Sequence, residues 1–350
     1  MSGTHRLFLI GRNRKPTLLF AVLCSCASPC LGFTLPPPQK QAANTAIERM
    51  VASDYDGAIA VCDSLIRFDP ADPLGWMLRL SAIGLHDLDL DSVTDSLDFP
   101  GAFKKTGDAL FAYERNHGVS SYSLTVKGFA GAIAAAYTIW RKKYFAGLDL
   151  GLDALAKLRE AKRLDNTNCD VDLFLGLYTY ARADFKKTFW WAFFLYSGDK
   201  EAGIRSIRAC SRNAQFCRLV ATLLLGEVAF REKRTGESDS ITAGLLRAYP
   251  GSRLVQWTCA KRGESIHSYG EAAESYRILA DAYDSIPRAK RNALFTRTKA
   301  AHSYFSAGSF EQARLACRSV IAWKKGPCDD FCRQLCRDAE RLLGKLPAEK

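Results

Sequence analysis

After the first 38 residues, apolar side chains recur at intervals of three and four along the chain, the spacing that gathers them on one face of an α-helix. Gly, Asp, Asn and Pro separate these runs, where they end one helix and begin the next. No long alternation of apolar and polar residues marks a half-buried strand. The pattern predicts an all-α chain. One segment shows the building unit well: residues 54–73, DYDGAIAVCDSLIRFDPADP, open on an acidic and aromatic turn, continue through a helix and close on Asp-Pro.

That segment resembles the second half of a tetratricopeptide repeat (TPR), a helical hairpin with a period of about 34 residues. A repeat frame starting at Gln39 puts Ala46 and Ala58 at the small positions of the two helices and Pro70 at the closing turn. The next start falls at Pro73, with Trp76 at the aromatic position. From Leu294 the same frame aligns Ala301, Tyr304, Gly308, Phe310, Ala313 and Cys317; from Arg253 it aligns Ala260, Ala272 and Tyr276; from Leu219 it aligns Leu225, Gly226 and Pro250. Starts at 135 and 169 lie one period apart, with Ala154 and Ala161 in the former and Gly176 in the latter. Gly or Ala is needed where two helices cross, because only a small side chain lets the backbones approach. A single hairpin cannot bury its apolar face, so such units stack and need caps at their ends. The expectation is a TPR-like α-α solenoid of about six to seven hairpins over residues 39–328, with a capping helix and tail at 329–350.

Two stretches interrupt the frame. Residues between Pro73 and 135 include the turn-rich DLDLDSVTDSLDFPG and an apolar, small-residue run that reads as a buried helix. In the unit starting at Cys169, Gly176 and Gly203 stand 15 residues further apart than usual, and the added residues carry KKTFWWAFFLYSGDK. Its aromatic run, with Phe189, Trp190, Trp191, Phe193 and Phe194, either extends the hairpin or forms a patch for a partner or an anionic membrane surface. The segment VDLFLGLYTYARADFKK with this run and GDKEAGIRSIRAC is similar to the tetratricopeptide repeat protein 39 and mitochondrial outer-membrane inclusion-clearance group, and to exported bacterial repeat proteins related to it. That resemblance implies a binding or adaptor role and brings no catalytic residues.

The amino terminus changes the picture of compartment. Arg6, Arg12, Arg14 and Lys15 precede the apolar TLLFAVLC, and small residues follow, the order of a secretory signal peptide. Residues 1–32 are expected to be such a signal, cleaved after Ala27 or Gly32; alternatively LCSC resembles a lipobox that would make Cys26 an acylated first residue. FTLPPPQK then reads as a Pro-rich spacer over 33–38. The expected location is the periplasm or cell envelope, with a lipoprotein anchor as one form of it. The formal charge is +12; without the four N-terminal cations the remainder is spread among acids, which does not specify nucleic acid.

Candidate chemistry is sparse. Twelve cysteines include nine after Gly32, an odd number that cannot all pair within the chain. Cys62, Cys210, Cys259 and Cys317 sit where a repeat needs small apolar residues. Cys328, Cys332 and Cys336 share a helical stripe, open to a disulfide with a neighbour such as Cys317, but no histidine or CxxC spacing supports zinc. Motifs for phosphate, zinc-protease or serine-hydrolase chemistry are missing, and the five histidines are scattered. A non-enzymatic scaffold with neither metal nor cofactor is expected, binding a protein or peptide partner. In the geometry the TPR resemblance implies, first helices line the concave face with Tyr180, Leu223, Glu227, Phe230, Arg231, Trp257, Lys261, Phe295, Lys299, His302 and Phe305. Aromatics beside cations suit a peptide of acidic character. Leu224, Thr258 and Lys299 stand where a chaperone-binding member would repeat an Asn clamp, which disfavours chaperone docking.

Overall fold

The structure, a computed structural model, describes residues 33–91, 97–188, 199–325 and 329–347. Among them run fifteen α-helices. Seven hairpins follow in order: α1 Pro37–Val51 with α2 Tyr55–Phe68, α3 Pro73–Leu90 with α4 Phe99–His117, α5 Ser121–Trp140 with α6 Tyr144–Leu164, α7 Val171–Thr188 with α8 Lys200–Asn213, α9 Arg218–Arg231 with α10 Thr235–Ala248, α11 Arg253–Ser265 with α12 Tyr269–Asp284, and α13 Lys290–Ser306 with α14 Phe310–Ala322. Helix α15, Asp330–Leu343, packs on α13 and α14 and closes the array. The fold is a TPR-like α-α solenoid.

Local chemistry explains the helix boundaries. Asp54, Asp72, Asp98, Asp199, Ser252 and Asp329 each accept a bond from a backbone amide of the first turn of the helix that follows, satisfying a donor that the helix leaves unpaired. Five hairpin turns share one design. Ser53, Lys142, Lys233, His267 and Gly308 are left-handed, with φ of 63°, 62°, 58°, 61° and 75°, the conformation that ends helices most often. In four of them the next amide reaches back to the first helix, from Asp54 to Arg49, Lys143 to Thr138, Arg234 to Ala229 and Ser309 to Tyr304, at 2.8–3.1 Å. An aromatic, Tyr55, Tyr144, Tyr269 or Phe310, then opens the second helix in four of the five turns.

The crossings fall where the repeat frame puts them. Ala46 and Ala58, Ala260 and Ala272, and Ala301 and Ala313 are all fully buried. The closest approach is between α7 and α8, where a Cβ on Gly203 would stand 2.7 Å from the Gly176 carbonyl oxygen and 2.7 Å from the Tyr180 nitrogen. Backbone cannot yield there as a flexible side chain would.

Three sequence expectations change. Pro37 and Pro38 are the first two residues of α1, positions where the missing amide costs nothing; Phe33 stacks on Tyr122 at 4.8 Å and Leu35 is buried, so the Pro-rich stretch is no free spacer. The region after Pro73 holds an ordinary hairpin, α3 with α4, whose connection is longer than the five tight turns. The unit placed at 135 begins at Ser121, with helices of 20 and 21 residues; Gly128 and Gly131 face Ala154 at the crossing. The four cysteines read as packing residues behave so: Cys62, Cys210 and Cys317 are buried and free and Cys259 is half-buried and free, while Cys332 and Cys336 are buried on α15 and Cys328 lies outside the described residues.

The array also closes on itself. Asp89, near the end of α3, accepts from Arg253 Nε at 2.7 Å, Tyr283 Oη at 2.7 Å and Tyr55 Oη at 3.1 Å, while its carbonyl accepts from Asn292 Nδ2 at 2.9 Å. Leu90 is buried within the core of α11, α12 and α13. Ser252 donates to the Val51 carbonyl, and the Arg253 amide to Ser53 Oγ at 3.1 Å. At the other end of α1, Leu35 N donates to Gln215 Oε1 at 2.7 Å and Asn44 Nδ2 to the Gln215 carbonyl at 3.1 Å. Apart from the bond of Tyr55, which comes from the adjacent hairpin, neighbour-to-neighbour stacking alone would give none of these ties.

Two outcomes test this packing. Gly203→Val should destabilise the fold by about 1–3 kcal/mol or more, the usual cost of overpacking, read from urea midpoints. Burial pushes the Cys62 thiol up to about 12, with Asp63 adding to it, and burial beside Asp338 pushes Cys317 up to about 11. The folded state then favours the protonated thiols, so this contribution is full below the ordinary thiol value of 9 and is lost as pH rises toward 11–12. Unfolding free energy measured at stepped alkaline pH should fall through that window, and alkylation of both thiols at neutral pH should require unfolding.

Candidate functional site

Because the array closes, the first helices of six hairpins converge on one interior space. Met50 of α1, Met77 of α3, Phe129 of α5, Phe174 of α7, Val220 of α9 and Leu254 of α11 all line a cavity of about 250 Å³. Its wall is apolar apart from two hydroxyls, and both are in use: Ser81 Oγ donates to the Met77 carbonyl at 2.8 Å and Tyr137 Oη to Asp87 Oδ2 at 3.0 Å. Leu85, Leu88 and Leu254 stand 37%, 37% and 40% exposed at its rim.

Beyond this bore the inner face continues as an aromatic strip across α11, α13 and α15. Trp257 and Phe295 stack with centroids 6.2 Å apart and Phe295 lies 6.1 Å from Phe331; all three rings are half-buried. Trp257 Nε1 donates to Tyr283 Oη at 2.9 Å, and that hydroxyl donates to Asp89, so the strip is fixed to the closure. Burial beside Asp89 pushes the Tyr283 phenol well up, which keeps it a donor. Lys261 lies over Trp257 at 5.9 Å and Arg291 over Phe331 at 4.4 Å, within cation–π range. Phe305 flanks the strip and meets Phe310 at 6.0 Å.

Several expected groove cations are already paired. Lys299 Nζ is 3.2 Å from Glu264, His302 Nε2 is 2.8 Å from Asp338, and Arg231 Nε is 2.9 Å from Glu227. An acidic partner would have to compete with these carboxylates, so the positive character of the strip narrows to Lys261 and Arg291, the latter 3.8 Å from Asp329. Tyr180 is corrected outright. It is 4% exposed, its hydroxyl donates to Glu232 at 2.8 Å and Lys200 lies over its ring; the α7–α8 crossing covers it. Phe230 is half-buried at the end of α9, and Leu223 lines the bore. Phe331 and Arg291 were not among the expected contacts. The stretch DDFCRQLC reads as a cap, and nothing in its spacing says that the ring at the second position of α15 faces inward.

Phe189, Trp190, Trp191, Phe193 and Phe194 lie outside the described residues, as does Cys26 with the whole of residues 1–32. Among the described residues no helix is long and apolar enough to cross a membrane.

No family model matches the chain, and none of the curated proteins does. Solved structures give distant likenesses. PilW, described as a widely conserved type IV pilus biogenesis factor, is 12% identical over 86% of this chain and 99% of its own, with a TM-score of 0.40. The C-terminal part of a TPR repeat-containing protein from Cytophaga hutchinsonii is 14% identical over 84% of this chain and 98% of its own, with a TM-score of 0.38. The human IFIT1 dimer with PPP-AAAA is 14% identical over 76% of this chain and 67% of its own, with a TM-score of 0.37. The fold assignment rests on the hairpins themselves.

Trp257→Phe should keep the stack with Phe295 and lose only the indole bond to Tyr283. The expected cost is about 1 kcal/mol by equilibrium unfolding; no loss would mean that the strip is not fixed to the closure.

Proposed function

We propose that the chain is a non-enzymatic interaction scaffold that is exported to the cell envelope and binds a protein or peptide partner along Trp257, Phe295 and Phe331. The observation that carries this reading is the row of three half-exposed rings on three successive inner helices, two of them with a cation overhead. Half-buried aromatic rings are the side chains that most often anchor a partner, since they add large apolar area at little entropic cost. Lys261 and Arg291 add orientation and favour an acidic sequence in the partner. Phe230, Arg231, Lys299, His302 and Phe305 are then positioning or flanking groups rather than anchors. Export is supported by the basic, apolar and small-residue order of residues 1–32.

A photo-crosslinking residue at Lys261, introduced in the cell that makes the protein, should give one discrete adduct. Trp257→Ala combined with Phe295→Ala should reduce that adduct at least tenfold. The same probe at Leu315, exposed on α14, should give none. Equal adducts from both positions, or an adduct indifferent to the double substitution, would contradict the assignment.

A further inference from the structure

We infer that the bore of the first six hairpins is a binding site for one unbranched aliphatic chain of the fatty-acid class, held with its carboxylate outside the leucine rim. The inference is independent of the partner strip, because Trp257, Phe295 and Phe331 do not line the bore.

The wall decides the chemistry of the occupant. Apart from Phe216 and Cys217 its residues sit on helices, whose amides and carbonyls are bonded along the helix; Phe216 gives its amide to Asp170 at 3.1 Å, and the two hydroxyls are spent on Met77 and Asp87. Cys217, at the head of α9, gives its backbone amide to Asp170 at 2.9 Å, which also takes up the thiol. A peptide entering this space would leave its own amides without partners, at a cost of several kcal/mol for each group. A hydrocarbon chain carries no such groups and gains from every apolar contact. Water is disfavoured for the same reason, since it needs two or more polar partners to stay in a cavity.

Size narrows the class further. An apolar cavity of about 150 Å³ stays dry and takes up one benzene; this one, at about 250 Å³, has room for about eight methylene-sized groups at roughly 30 Å³ each, taking a methylene as equal to water in volume. An α-helix, about 10 Å across with its side chains, does not fit, and neither do the two chains of a phospholipid. The way in is marked by Leu85, Leu88 and Leu254, exposed large apolar residues from α3 and α11 that meet at one edge of the space. Head-group charge follows from the protein's own: without the four cations of residues 1–32 the chain still carries a net charge of +8, and the field of a basic protein favours an anion over a cation at the mouth.

Sodium decanoate titrated into the full chain should bind with one saturable site by calorimetry and should displace a bound apolar dye. Val220→Phe, which fills the bore, should weaken decanoate at least tenfold without lowering Tm, because filling a cavity restores lost contacts. Ala136→Phe, nearer the surface of α5, is the second variant and should act in the same direction should the first fail to fold. Decyltrimethylammonium, with the same chain and a cationic head, should bind several-fold more weakly. Decanoate that shows no saturable binding, or that binds both filled variants as well as the native chain, overturns the site; equal binding of the cationic analogue overturns the choice of an anionic head. Phospholipid vesicles that compete with decanoate at one site would overturn the single-chain assignment.

Discussion

Asp89 is a carboxylate with 11% of its side chain exposed, facing an arginine that is 12% exposed. Ions removed this far from water persist only when their lone pairs and protons are satisfied, and here Arg253 and the phenols of Tyr55 and Tyr283 do so together. Those partners come from hairpins one and six, so the charge can be satisfied only if the solenoid bends until its sixth unit meets its second. The closed turn, the bore inside it and the orientation of Trp257 all depend on that contact. Leu90, next in sequence, adds an apolar side chain to the core of the later hairpins.

An open repeat array draws its stability from each unit and its neighbours. This chain has a second source, since α1 and α3 also meet α9, α11, α12 and α13. The first hairpins therefore need no separate cap: Phe33, Leu35 and Gln215 seal one side of α1, and Ser252 and Arg253 seal the other. At the far end α15 covers the last hairpin with Cys332, Leu335, Cys336, Ala339 and Leu342. The inner face then has two parts with different chemistry. Where the turn is shut it is apolar and enclosed; where the chain runs past the closure it is aromatic, cationic and open to a partner.

Much of this was legible in the residues. The alanine pairs at 46 and 58, 260 and 272, and 301 and 313 identify the crossings because nothing larger fits, and the Gly176–Gly203 contact survives the long insertion between them. What was not legible has physical causes. Hairpin two was hidden because its connecting segment is longer than a repeat turn, and hairpin three was misplaced because its helices overrun the repeat length by several residues. The closure left no trace in the pattern, since Arg253 and Tyr283 lie 164 and 194 residues from Asp89, separations that match no multiple of the repeat. Tyr180 shows the converse limit: its place on the first helix was read correctly, but the close approach of α8, which the two glycines permit, buries the ring that an ordinary crossing would leave at the surface.

The central claim is that hairpins far apart in sequence are coupled through Asp89. Hydrogen exchange followed by mass spectrometry on the native chain and on Asp89→Ala tests it most directly. The account predicts that amides of α3 and of α11 to α13 lose protection together, although more than 160 residues separate Asp89 from Arg253. Loss of protection confined to α2, α3 and α4 would contradict it, for that is how an open array of neighbours behaves.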